Sequence, residues 1–276
     1  MTILVTGGTG HLGGKVVELL LRDGHRVRVL ARRPGGDTAV DWITGDLATG
    51  EGIAEAVAGA EAIVHAAPHS PSAQRGRFKA RDLVRSPRDV DIRGTDALLR
   101  AAAQASVDHI VHVSIVGLEH TARLPYSRVK LRAEGFVRSG GVPWSIARAT
   151  PFYWLLERFL DDAVKRRTVT VPRNVRMQCV DSDEFARFLV ACVTDGQRGE
   201  RMDFAGPEAL TTREMAERYV AARGLERRIR EIRVPARVER AMTAGNTSSS
   251  GHRGTTTWAE WLERDRGAVP AGRIAA

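Results

Sequence analysis

Four glycines fall within eight residues in Thr6-Gly7-Gly8-Thr9-Gly10-His11-Leu12-Gly13, directly after the apolar run of residues 2–5 and at the opening of a helical pattern. Glycine here permits a tight turn, lets backbone approach a pyrophosphate with no Cβ between, and lets helix pack closely on strand. The N–H groups at the start of such a helix face an anion. Val16, Leu19 and Leu20 give the helix of residues 12–22 an apolar face, and Gly24 stops it. Strand, glycine loop and helix in this order restrict the chain to a dinucleotide-binding α/β fold more tightly than any single property of its composition.

The same rhythm continues. Strands are expected at residues 25–31, 40–44, 62–66, 109–113 and 144–147, with long helices at 89–105 and 125–139. Strands separated by helix-length connections predict a Rossmann-like, doubly wound parallel sheet for residues 1–150. Beyond that, helices at 152–165, 182–194 and 212–223 alternate with short strands at 168–171 and 201–204. This half reads as a smaller α/β substrate lobe, residues 151–276, that does not fold independently. The polar stretch 245–251 reads as too rich in Gly and Ser to pack. A last helix at 257–264 presents Trp258, Trp261 and Leu262.

Composition narrows the classes. With 276 residues, 43% hydrophobic and 27% charged, the chain is globular rather than disordered, collagen-like or stapled by disulfides. No apolar run reaches the roughly 18–20 residues of a membrane helix, and no basic segment precedes the first apolar residues, so a cytoplasmic protein without membrane contact is expected. Cys179 and Cys192, with no CxxC, read as buried packing. The net charge of +9 is nearly all arginine, spread along the chain. Without a basic stripe interleaved with stacking aromatics, no nucleic-acid partner is expected. The eight histidines show no metal-ligand spacing, so no metal site is expected.

For the cofactor, Gly7, Thr9, Gly10, His11, Leu12 and Gly13 would cradle the phosphates. The second strand ends in Arg32-Arg33 where an acidic residue would accept from an adenosine 2′-OH; two guanidinium groups suit a 2′-phosphate, which points to NADP(H). Asp46 and Leu47, after the third strand, sit where an adenine is held. Ala66, Ala67 and Pro68, after the fourth, offer small side chains beside the nicotinamide.

Tyr126 and Lys130 stand at i and i+4, one above the other on a helix face. The pair is a proton donor with a tuner, because an ammonium favours phenolate. Three tyrosines and four lysines would meet at this spacing by chance only ~0.04 times. Ser114, at the end of the preceding strand, could bind a substrate carbonyl.

These motifs together resemble the short-chain dehydrogenases/reductases of the extended or atypical branch, close to the NmrA-like NAD(P)H-binding oxidoreductases of actinobacteria. The resemblance rests on the glycine loop, Gly45-Asp46-Leu47, Ile92-Arg93-Gly94-Thr95, Ser114, Tyr126-x-x-x-Lys130, Ile146-Ala147-Arg148-Ala149-Thr150 and Phe204-Ala205-Gly206-Pro207-Glu208 in family order. It implies that Tyr126 protonates a carbonyl during hydride transfer, that Lys130 holds the nicotinamide ribose and tunes Tyr126, and that Ser114 orients the carbonyl. It adds Ala149, Thr150 and Phe152 to the cofactor residues. Asp91 stands where many relatives carry asparagine, which leaves that group's proton-relay role open.

His69, Ser70, Tyr153 and Trp154 follow strand ends on the substrate side and suit an apolar or aromatic carbonyl compound. The Arg-rich segment 68–87 reads either as a flap or as a surface excursion. A monomer or homodimer is expected. Three activities are in play: an NADPH-dependent ketoreductase, an NAD(P)-dependent epimerase or dehydratase, and a non-catalytic NADP redox sensor of the NmrA-like kind.

Overall fold

The computed structural model describes residues 1–67, 89–195, 198–248 and 250–267. The expected flap and the site residues Pro68, His69 and Ser70 lie outside them.

Among the described residues eight strands form one all-parallel sheet in the order β12 (His252–Arg253), β9 (Glu200–Ala205), β6 (Trp144–Ala149), β5 (His109–Ile115), β4 (Ala62–His65), β1 (Thr2–Thr6), β2 (Arg26–Ala31), β3 (Val40–Thr44), while β8 (Arg176–Met177) and β10 (Leu210–Thr211) pair apart from it. Its centre is β1, β4, β5 and β6, flanked on one side by β2 and β3. Beyond β6 come β9 and the short β12. The doubly wound sheet expected from the sequence is present, and it draws its last two strands from beyond residue 150.

Strand residues alternate between two buried layers, the period-2 rule at work. Ile3, Val5, Val29, Val64, Val111 and Val113 face α1 (His11–Arg22) and α6 (Ser182–Thr194). Leu4, Leu30, Ile63, Ile110 and Ile146 face the layer of α2 (Ile53–Val57), α3 (Thr95–Gln104) and α4 (Pro125–Ser139). The strand order reverses between β1 and β4, so the loops leaving those strands splay apart and open the crevice in which this fold binds ligands.

A third core lies under residues 153–262. It joins Tyr153, Leu156 and Leu160 of α5 (Tyr153–Ala163), Val169 and Val171 of β7 (Thr168–Pro172), Tyr219 of α7 (Thr212–Ala222) and Trp258 of α9 (Trp258–Gly267).

Several local readings change. The helix expected at 89–105 begins as a π-helical turn, Asp89–Gly94, before α3. The arginine-dense run after residue 226 holds a strand, β11 (Arg228–Ile232), parallel to β7, with Ile229 packed on the third core and Arg228 and Arg230 exposed. The alternation was in the sequence, but charge concealed it. A further helix, α8 (Ala236–Asn246), runs into the polar stretch, whose described residues 245–248 are half-buried. Asn246 accepts from the Gln178 amide (2.9 Å), and Ser248 bonds Gln178 and Asp203. Hydrogen bonds from backbone and side chains hold what apolar burial would not.

Candidate active site

The glycine loop joins β1 to α1 at the crevice. Gly7 has φ +77°, and a Cβ there would lie 2.6 Å from the Ala66 carbonyl oxygen leaving β4. A Cβ on Gly13 would overlap the Gly7 carbonyl itself. Gly10 caps α1 with no side chain accepting from the helix, and no acidic residue stands in its first turn. No side chain of the cap or first turn of α1 therefore competes with an anion for those N–H groups. We expect Gly13→Ala to push α1 off the loop, cost about 1–3 kcal/mol and weaken cofactor binding at least about tenfold. Thermal unfolding and cofactor titration measure both effects.

Around the loop, Thr9 and His11 are exposed, and the His11 ring bonds Ser182 (3.1 Å) and lies tilted against Trp154 (centroids 4.5 Å apart). Leu12, in the first turn of α1, is buried. Arg32 and Arg33 are exposed at the end of β2. Asp46 folds its carboxylate onto the Ala48 amide (2.9 Å), while Leu47 is a core residue packed against Gly94. At the ends of β4 and β6, Ala66, Ala67 and Phe152 are half-buried and Ala149 and Thr150 buried. Thr150 Oγ1 and Trp154 Nε1 are buried with no hydrogen-bond partner among the described residues. Buried polar atoms left in this way are costly, and a polar ligand in the crevice could satisfy them. Together with the uncapped helix and the Cβ-free cradle, they fit a dinucleotide.

The structure brings Tyr126, Lys130 and Asp91 together. α4 opens with Pro125 at its first position, placing Tyr126 in its first turn and half-burying it. One turn on, the Lys130 ammonium lies 5.3 Å from the Tyr126 ring centroid. The same ammonium donates to both Asp91 oxygens, at 2.7 and 2.8 Å, with both side chains almost wholly buried. Beneath them is a layer the sequence reading missed. Thr6 Oγ1 meets His65 Nδ1 at 2.6 Å, His65 Nε2 meets Thr95 Oγ1 at 2.9 Å, and the His112 ring is 5.1 Å from that of His65. Burial, reinforced by the Lys130 charge, pushes His65 down to about 4. Burial, aided by His65 and Lys130, also holds His112 well below the ordinary imidazole range. Both are neutral at pH 7, so the ion pair is the charge in this layer.

Ser114 is placed differently from the expectation. It points to α4 and donates to Glu134 Oε1 at 2.6 Å. Arg148 of β6 grips the same carboxylate with Nε (2.7 Å) and Nη2 (2.6 Å), and also reaches Glu119, which Arg201 contacts from the surface. The hydroxyl proton of Ser114 is committed to Glu134, so orienting a carbonyl requires it to turn. Glu134 stands at i+4 from Lys130; the spacing Tyr-x3-Lys-x3-Glu was the available signal.

Tyr153 corrects a second expectation. It is 1% exposed, bonds the Thr256 carbonyl (3.1 Å) and packs on Trp258 (5.3 Å), so it belongs to the third core and does not line a cleft. Its neighbour Trp154 keeps a place beside His11 because successive helical residues face different directions.

Residues 7–196 match the NAD(P)H-binding family. The chain belongs to that family. It is 32% identical to divinyl chlorophyllide a 8-vinyl-reductase of Oryza sativa subsp. indica over 86% of this chain, spanning 62% of that relative's length. It is 30% identical to (4-alkanoyl-5-oxo-2,5-dihydrofuran-3-yl)methyl phosphate reductase of Streptomyces griseus, covering 85% of this chain and 78% of the other. In fold it is similar to an NADPH-dependent quinone oxidoreductase of Escherichia coli complexed with NADPH, with a TM-score of 0.75, 16% identity, and 96% and 100% of the two chains covered. Family membership gives the chain an NAD(P)H-binding region and with it a site for a nicotinamide cofactor. No helix among the described residues is long and apolar enough to cross a membrane, and none of their His, Cys, Asp and Glu side chains form a metal-binding group.

Proposed function

We propose that the chain is an NADPH-dependent reductase of a small, apolar or aromatic carbonyl compound, with Tyr126 as the proton donor. The observation that carries this is the Tyr126–Lys130 pair, with the ammonium 5.3 Å from the phenol ring. Gly7, Gly10 and Gly13 would take the pyrophosphate against α1, and Arg32 and Arg33 the 2′-phosphate. Bound there, the nicotinamide would supply a hydride to the carbonyl carbon. Tyr126 Oη would give its proton to the carbonyl oxygen as the new C–H bond forms, and Lys130 would offset the negative charge left on the phenol. The buried polar layer beneath keeps bulk water from that ammonium.

Reduction rather than epimerisation is supported by two of the chain's sequence relatives, which are named as reductases. One is a vinyl-reductase, which favours a second reading in which the acceptor is an activated carbon–carbon double bond. NADPH consumption over ketones, aldehydes, quinones and enones, with product analysis, separates the two; consumption with none of them overturns the assignment.

Cofactor choice has its own test. Each charge-assisted guanidinium–phosphate contact contributes about 1.5–3 kcal/mol. Replacing Arg32 and Arg33 together by Ala should therefore weaken NADPH binding about 100-fold or more while leaving NADH binding within a few-fold. Equal affinity of the unaltered protein for NADH and NADPH would refute the preference.

A further inference from the structure

We propose that Asp91 is a positioning residue: it is the counter-ion that keeps Lys130 charged inside the protein, and the proton-donating strength of Tyr126 depends on it. This rests on the reading of Tyr126 and Lys130 as donor and tuner, and adds a third member to the pair.

The argument starts from burial. The side chains of Lys130 and Asp91 are 3% and 2% exposed. An ammonium taken out of water loses its charge unless something replaces its hydration. For Lys130, burial is the largest influence and acts to lower its affinity for the proton, whereas the charge and hydrogen bonds of Asp91 act to raise it. The other titratable groups described around it are neutral or engaged elsewhere. His65 of β4 and His112 of β5 are neutral bases in the same layer. Glu134, one turn further along α4, is held by Arg148 of β6, and Glu119 of the 3-10 turn Leu118–Thr121 is held by Arg148 and Arg201. Arg93 of the turn bearing Asp91 is exposed and cationic. The carboxylate that sustains Lys130 is Asp91. An asparagine at this position could accept from the ammonium but could not balance its charge.

Electrostatics fixes a sign that a merely structural role would not give. Asp91 acts on Tyr126 in two opposed ways. Its own negative charge disfavours phenolate; by holding Lys130 as ammonium it favours phenolate. If the second dominates, removing the carboxylate leaves a neutral amine, and the phenol becomes a weaker acid. If Lys130 keeps its charge unaided, removing the carboxylate leaves an uncompensated cation, and the phenol becomes a stronger acid.

The measurement needs neither substrate nor cofactor. The chain has three tyrosines, and burial pushes both Tyr153 and Tyr219 well above the ordinary phenol range, Tyr219 also through its bond to Asp161. In a titration followed by tyrosinate absorbance, the first step belongs to Tyr126, and its loss in Tyr126→Phe confirms that. Asp91→Asn should move this step upward by about one pH unit or more, matching Lys130→Met, and the double variant should go no further than either. A downward shift or none in Asp91→Asn, with an upward shift in Lys130→Met, overturns the proposal. No shift in Lys130→Met overturns the tuning role itself, and the proposal with it. Asp91→Glu keeps the charge at nearly the same place and should leave the step close to that of the unaltered protein. A shift there as large as in Lys130→Met also overturns the proposal, even should Asp91→Asn not fold.

Discussion

Tyr126→Phe should lower turnover roughly 100- to 10,000-fold, the range a positioned general acid contributes. The change removes one oxygen from a half-buried ring and leaves Lys130 clamped on Asp91, so fold and cofactor site should persist. NADPH binding, followed by its fluorescence, should stay within about twofold, while single-turnover oxidation of bound NADPH slows. As a transition-state loss this is about 3–5 kcal/mol. Unchanged turnover with intact cofactor binding would exclude the phenol as donor and move attention to another acid, or to an acceptor that needs none from the protein. A loss of cofactor binding equal to the loss of rate would instead mean that the hydroxyl holds the cofactor rather than giving a proton to the substrate.

The second large effect concerns stability. Glu134→Ala should destabilise the protein by about 3 kcal/mol, near the low end for one partner removed from a buried ion pair. Arg148 and Glu134 have side chains 3% and 4% exposed, so the guanidinium would lose its bidentate partner where water does not replace it, and Ser114 would lose its acceptor. Glu119 still reaches Arg148, but it is 47% exposed and compensates less in a wetter setting. Melting should fall by roughly 6–12 °C for a chain of this size. Replacing both partners, Glu134→Leu with Arg148→Met, should recover part of the loss because no charge is left buried. If the double change costs the sum of the two single ones, the pair does not act as a unit.

What the sequence disclosed depended on how far the relevant physics is local. The glycine loop is legible because its turn, its close approach and its helix start all fall within eight residues. Tyr126 and Lys130 are legible because helix geometry alone puts i and i+4 together. Arg32 and Arg33 needed only the end of a strand. Asp91 was noticed as a departure, but its bond to Lys130 crosses from the Asp89–Gly94 turn to α4, and no local rule joins residues 39 positions apart. Glu134, Arg148 and Ser114 meet in the same way, as do Thr6, His65 and Thr95. Tyr153 was misjudged because an aromatic after a strand end serves equally well as cleft wall or core, and Trp258, 105 positions later, decides it. Helix α8 went unread for a different reason: none of its side chains is buried, so it carries no pattern a core would impose.

The helix α6 has a consequence for biosynthesis. It packs on α1 and supplies Phe185, Leu189 and Val193 to the layer that covers Val5, Val29 and Val111. The glycine loop, the Tyr126 helix and six of the strands are all made before it, by residue 149. At about 5–20 residues per second a ribosome needs a few seconds more to deliver α6. During that interval the nascent sheet has only α1 on that face, and an apolar surface stands open to other chains. Growing this protein cool or slowly should therefore matter more at the stage of synthesis than its finished stability would suggest, and a fragment ending near residue 150 should aggregate rather than fold.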